Sequence, residues 1–357
     1  MTGLYVTSTD TFAGKSALSI GLATRFARDG LSFGYMKPIS RAVRLVAGQL
    51  VDEDVQFIKD AFDLPDPMEL LMPVALTSHL EEAILRGKEQ TNFQRKITDA
   101  YKELKQGRDI ILLEAGTNFR EGSLIGLPTP DMADALGVRE LVVVRHGDNL
   151  VDDILSARHW LGPSMVGIVI NAVPRQHMSY VEEVVRPYME NQSIPILGVL
   201  PEERLLQSLS VQELAQVLAG EILCCPDTSE ELVEHFMVGA MSVDSALAHF
   251  RRKPNKAVIT GGDRPDIQLA ALETSTRCLI LTGNLRPSQV ILERARSVNV
   301  PIILVKHDTL TTVEAIEGVF GKTRFHQKKK IDRFVRLMEG RFDFERLYQS
   351  LSLTPGA

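Results

Sequence analysis

The stretch Leu4-Tyr5-Val6-Thr7-Ser8-Thr9-Asp10-Thr11-Phe12-Ala13-Gly14-Lys15-Ser16 decides how the rest of the chain is read. Leu4 to Thr7 is a short apolar run of β-formers, and Ser16 to Arg28 spaces its apolar residues as a helix does. The small and polar residues between them therefore form a turn from strand to helix. In that setting, backbone N–H groups of the turn and of the helix N-terminus bind a polyphosphate. Lys15 then reaches the outer phosphates, and the Ser16 hydroxyl is placed to ligate Mg²⁺. The strict glycine-rich pattern fails at one point, since Thr9 stands where its first glycine would be. A bare Gly-Lys-Ser is common; the strand before it and the helix after it carry the reading.

Outward from this loop, short apolar runs recur at Leu31 to Met36, Asp109 to Leu113, Leu141 to Val144, Val166 to Ile170 and Ile196 to Val199, separated by helical patterns. Strands alternating with helices imply right-handed crossovers and a mostly parallel sheet covered on both faces. The alternation restarts after Pro201, with a helix at Val211 to Leu218 and strands at Glu221 to Leu223, Lys256 to Thr260, Arg277 to Leu281 and Ile302 to Val305. Helical patterns at Ile267 to Glu273 and Gln289 to Ser297 lie between them. The fold class is α/β: a three-layer, doubly wound, mostly parallel sheet over residues 1–205, a smaller α/β domain over 206–320, and a helical C-terminal tail over 321–357. The length of 357 residues suits two cores of ordinary size.

Lys plus Arg total 40 against 46 Asp plus Glu, a net charge of -6, which argues against a dedicated nucleic-acid or membrane-surface binder. Cys224, Cys225 and Cys278 lack metal-ligand spacing and make an odd number, so neither a disulfide framework nor a zinc site is expected. Met1 to Thr11 has no features of a secretion signal, and the expected location is cytoplasmic. Trp160 reads as a packing residue, His307 as structural, and Lys328 to Lys330 as a solvated helix face.

The loop resembles that of the dethiobiotin synthetase branch of P-loop NTPases, which reads Gly-Thr-Asp-Thr, two variable residues, then Gly-Lys-Thr. Thr9, Asp10, Thr11, Gly14 and Lys15 are kept, while Ser8 replaces the leading glycine and Ser16 the closing threonine. The resemblance implies ATP and Mg²⁺ as cofactors and extends to further positions. Tyr35-Met36-Lys37-Pro38 matches a Lys-Pro whose lysine contacts the transferred phosphate, making Lys37 catalytic beside Lys15. Asp54, in Asp52-Glu53-Asp54, and Glu114, closing the apolar run from Asp109, correspond to carboxylates that help Ser16 hold the metal. Asp52 reads equally as a helix N-cap. Asn171 corresponds to the asparagine that reads the adenine edge, and Pro201 to the segment lining the base pocket.

In the second domain three strands run into polar turns: Thr260-Gly261-Gly262-Asp263-Arg264, Thr282-Gly283-Asn284 and Asp308-Thr309. Ligands of open α/β sheets bind outside the carboxyl ends of strands. Gly261, Gly262, Asp263, Arg264, Thr282, Gly283, Asp308 and Thr309 thus form a second candidate ligand site, with unrelated glycine turns and helix caps as the bland reading. These blocks resemble a DRTGG domain, which implies a regulatory or dimerising role. The two domains in this order resemble the N-terminal region of long bacterial phosphate acetyltransferases, and the length leaves no room for their acetyl-transferring domain. The function expected is Mg²⁺-dependent ATP hydrolysis or ligase-type phosphoryl transfer to an unidentified acceptor. The alternative is a non-catalytic nucleotide sensor that dimerises through its second domain and controls a protein partner. A third is a structural dimerisation module with a relic loop.

Overall fold

The computed structural model describes residues 2–320 and 325–354. Two units emerge, Met1–Glu202 with Arg324–Ala357 and Glu203–Thr323. In the first, six strands form one sheet: β1 (Thr2–Ser8), β2 (Phe33–Met36), β3 (Ile110–Glu114), β4 (Arg139–Arg145), β5 (Met165–Val173) and β6 (Ile196–Pro201). Their order is β6-β5-β4-β1-β3-β2, and every pairing is parallel. All five residues of β3 are buried, as a strand covered on both faces requires. The order reverses at β1, which lies between β3 and β4, so the crevice of the sheet opens at the loop that follows β1.

That loop leads into helix α1 (Lys15–Arg28), whose Leu18, Leu22 and Phe26 are buried. After β2 comes an antiparallel hairpin, Val43–Val46 with Gln49–Asp52, which the sequence reading did not foresee. It delivers the chain to helix α2 (Glu53–Ala61). Asp52 caps α2, its Oδ1 accepting from the backbone N–H of Asp54 at 2.8 Å and Val55 at 3.2 Å.

The second unit carries β7 (Glu221–Cys224), β8 (His235–Val238), β9 (Lys256–Gly261), β10 (Thr276–Thr282) and β11 (Ile302–Leu304) in the order β7-β11-β10-β9-β8. Only the β7–β11 pairing of this sheet is antiparallel. Helices α3 (Pro265–Leu272), α4 (Gln289–Ser297) and α5 (Thr309–Val319) cover it. Alternate residues face opposite cores: Val258, Leu279, Leu281 and Ile302 on one side, Ala257, Ile259, Ile280 and Ile303 on the other. Strand β8 was missed because its residues are all only partly buried and its apolar stretch is short.

The segment read as a separate tail does not stand apart. Its expected start, 321–324, lies outside the described residues, but helices α6 (Lys328–Arg341) and α7 (Phe344–Leu351) belong to the first unit. Phe334 and Met338 of α6 face Gly21 of α1, where a β-carbon would overlap the Met338 sulfur. Arg346 makes two hydrogen bonds to Glu190, at 2.7 and 2.9 Å, and the Tyr348 hydroxyl donates to Asp29 at 2.6 Å. Lys330, assigned to a solvated face, is buried. Trp160 departs the other way: it is 58 % exposed, because Ile154, Ala157 and Leu161 occupy the buried face of their helix. The three cysteines are free.

Candidate nucleotide site

The loop from Ser8 to Lys15 needs two left-handed residues, Phe12 at φ 62° and Gly14 at φ 108°. Ser8 is not one of them, so replacing the leading glycine carries no backbone strain. Its hydroxyl donates to the Asp10 carbonyl at 2.6 Å and accepts from Lys15 Nζ at 3.0 Å, tying the start of the loop to its end. The ammonium of Lys15, only 6 % exposed, also donates to the Thr117 carbonyl. Burial lowers the Lys15 pKa, opposed by the charges of Glu114 and Glu121. Thr9 is buried and its hydroxyl has no partner among the described residues, while Asp10 and Thr11 are exposed. An orphaned hydroxyl in a phosphate-type loop is a donor that a ligand can satisfy.

Ser16 opens α1 with its Oγ donating to Glu114 Oε1 at 2.7 Å, and the Tyr35 hydroxyl donates to Glu114 Oε2 at 3.1 Å. Burial pushes the Glu114 carboxyl above its ordinary range, with Lys37 pulling the other way. Lys37 is buried, with Nζ 2.8 Å from Asp52 and 3.5 Å from Asp54. Burial alone would depress the Lys37 pKa, but Glu114, Asp52 and Asp54 together hold it above its ordinary value and keep it charged. Asp54 Oδ1 meets His326 Nε2 at 2.9 Å. Burial raises the Asp54 pKa, but the His326 hydrogen bond and the Lys37 charge outweigh it and bring it down to about 2.

The structure thus gathers Lys15, Ser16, Lys37, Asp54 and Glu114 around the carboxyl ends of β1, β2 and β3. Lys37 sits among carboxylates, with Asp52 and Asp54 beside it. Asp52, read both as a cap and as a metal candidate's neighbour, is at once the α2 cap and a partner of Lys37 and of the Ser40 hydroxyl. Asn171 lies within β5, opposite Arg145, rather than after the strand. Its Nδ2 donates to the Ala13 carbonyl at 2.8 Å, so the side chain braces the phosphate loop. Pro201 ends β6 beside Val173.

Residues missed by sequence reasoning are Tyr35, Glu121 and His326. Glu121 accepts from the N–H of Thr117 at 3.2 Å and of Gly116, and its other oxygen is buried without a partner among the described residues. Tyr35 lies two residues before Lys37, on the same strand face by period-2 alternation, and could have been found that way. No local pattern points to Glu121 or His326.

In the second unit the three turns do meet at the carboxyl ends of β9, β10 and β11. Thr282 and Thr309 hydroxyls are 3.0 Å apart, and the Gly283 N–H donates to the His307 carbonyl at 2.8 Å. The Gln268 amide donates to the carbonyls of Gly261 at 2.9 Å and Gly262 at 3.2 Å. Gly262 must be glycine, since a β-carbon would lie 1.8 Å from the Leu285 carbonyl oxygen. Arg264 is spent on Asp266 and the Met241 carbonyl, and Asp308 caps α5 through Thr311 N–H at 2.8 Å. A cleft of about 380 Å³ in this unit is lined by Phe236, Val238, Ile259, Val313 and Phe320, and none of the turn residues lines it.

A strand–loop–helix of this form at the reversal point of a parallel sheet defines a P-loop nucleotide-binding domain. Residues 2–210 match the AAA domain family and residues 213–319 the DRTGG domain, so the chain belongs to the AAA domain family and carries a DRTGG domain after it. It is 26% identical to the phosphate acetyltransferase of Nitratidesulfovibrio vulgaris over 96% of this chain and 51% of that one. It is 25% identical to the ATP-dependent dethiobiotin synthetase BioD of Methanocaldococcus jannaschii over 55% of this chain and 92% of that one. The chain spans about half the length of the phosphate acetyltransferases it matches. Among solved structures, the CBS and DRTGG domains of the regulatory region of Clostridium perfringens pyrophosphatase, complexed with the activator diadenosine tetraphosphate, align with a TM-score of 0.28 and 22% identity, covering 42% of this chain and 72% of that one. No helix among the described residues is long and apolar enough to cross a membrane.

Proposed function

We propose that the first unit binds ATP with Mg²⁺ and either hydrolyses it or passes its γ-phosphoryl group to an acceptor. The observation that carries this reading is the Ser16–Glu114 pair, 2.7 Å apart, flanked by the two buried lysines Lys15 and Lys37. A hydroxyl, two carboxylates and no soft ligand suit Mg²⁺, which prefers hard oxygen donors and keeps several waters or phosphate oxygens. Ser16, Asp54 and Glu114 would hold it, and it would supply positive charge to neutralise the phosphates. Lys15 and the loop N–H groups bind the outer phosphates. Lys37, kept cationic by its carboxylate neighbours, stabilises charge on the γ-phosphoryl oxygens as a fixed charge rather than as a base.

Phosphate release from ATP by the wild-type chain and by Lys15→Ala tests the proposal. A fall of about 100-fold or more is expected on losing one preorganised phosphate contact. Equal, background-level release from both would end the enzymatic reading.

A second reading, a nucleotide sensor that dimerises through its DRTGG domain, draws support from chain order. The second unit is inserted between two parts of the first, so both its ends lead into the nucleotide-binding unit. Light scattering with ATP, with ADP and without nucleotide tests it; one mass in all three states counts against it.

A further inference from the structure

The segment that re-enters the first unit after the DRTGG domain brings a side chain to the nucleotide site from 272 residues away in sequence. The ring of His326 lies flat on Phe57, with centroids 4.5 Å apart and planes 11° from parallel, while its Nε2 meets Asp54 Oδ1 at 2.9 Å. Asp54 and Phe57 are three residues apart on α2 and share one face of it, so His326 grips that face at two points. An ionised carboxylate can only accept, so Nε2 carries the proton and donates it. Among the described residues the other Asp54 oxygen has only a long contact, 3.5 Å to Lys37. His326 therefore holds one oxygen and leaves the second turned toward Lys37. Beside His326, Phe325 packs edge-on against Phe334 of α6 at 5.4 Å, which anchors the segment.

We propose that His326 is a positioning residue of the nucleotide site, fixing the Asp54 carboxylate so that its second oxygen is presented to the magnesium–nucleotide. This rests on the reading of the site given above. The segment that follows the DRTGG domain is then part of the nucleotide-binding apparatus, which the AAA-type portion alone would lack. A group that orients a metal ligand without touching the metal acts through that ligand, and its loss is felt in metal-dependent affinity.

The test is calorimetric titration of the full chain with ATP, once with Mg²⁺ and once with EDTA, for the wild type and three variants. His326→Ala removes both the donor and the stack, His326→Phe keeps the stack without the donor, and His326→Gln keeps a donor. His326→Ala and His326→Phe are expected to reduce the affinity gain from Mg²⁺ by about 10-fold or more. Binding in EDTA should stay within about twofold of the wild type, and His326→Gln should recover part of the gain. If His326→Ala does not fold, His326→Phe decides. A wild-type gain in His326→Phe, or equal losses with Mg²⁺ and with EDTA, overturns the positioning role while leaving nucleotide binding intact. Absence of ATP binding by the wild-type chain overturns the function proposed above, and the inference with it, by a different result.

Discussion

Gly14→Ala isolates what the phosphate loop demands of its backbone. Gly14 has φ 108° and ψ 22°, where a side chain is strained by about 1–3 kcal/mol. A β-carbon there would also stand 2.2 Å from Asn171 Nδ2, the atom that donates to the Ala13 carbonyl at 2.8 Å. Asn171 must swing away, and the lost hydrogen bond adds about 1 kcal/mol. The total is about 2–4 kcal/mol, with a displaced loop and weaker ATP binding. Gly126→Ala is the control: φ is 70° and nothing lies within 4 Å of the new methyl, so only backbone strain of about 1–2 kcal/mol applies. Asn171→Ala alone should cost about 1 kcal/mol. In the double variant the clash has nothing left to break, so the combined cost should fall short of the sum by about 1 kcal/mol. Urea denaturation followed by circular dichroism gives the four stabilities, and calorimetry gives the ATP affinities. Gly14→Ala no costlier than Gly126→Ala, together with full additivity in the double variant, would refute the reasoning.

Three other changes probe the rest of the molecule. Asp52→Ala removes the α2 cap and the closest partner of buried Lys37, and should cost about 3–5 kcal/mol in chemical denaturation; a loss under about 1 kcal/mol would mean that Lys37 does not need it. Burial holds the Glu140 carboxyl up at about 7, with the Ser164 hydrogen bond opposing. Because that pKa is raised on folding, the folded chain binds the extra proton between about pH 4.5 and 7, and stability falls by up to about 3 kcal/mol as pH rises through that window, then levels off. Glu140→Gln should therefore gain on the wild type from pH 5 to 7 in denaturation curves; a constant difference across that range would contradict it. Phe334→Ala, at a site 2 % exposed, should cost about 3 kcal/mol. A change within about 0.5 kcal/mol, typical of surface positions, would return α6 to the status of an appendage.

The sequence by itself determined the local framework. A phosphate loop is a contiguous signal: the run before Ser8, the glycine and lysine of the turn and the helical spacing after Ser16 lie within one short stretch, and the structure has β1 and α1 there. The same held for β3 ending in Glu114, because a fully buried strand shows as an unbroken apolar run, and for the alternating strands of the DRTGG domain. Only the tertiary structure decided what these residues do to one another. The carboxylate partners of Lys37 became visible only when the hairpin before α2 brought Asp52 and Asp54 to it. The tie between Asn171 and the phosphate loop became visible only when β5 laid its amide against the Ala13 carbonyl. The C-terminal helices looked like a remainder until Phe334 and Met338 met α1, and His326 met Asp54. Periodicity reports which face of an element is covered, but not by what. Pairings between residues hundreds of positions apart come from how layers stack, and no local pattern encodes them.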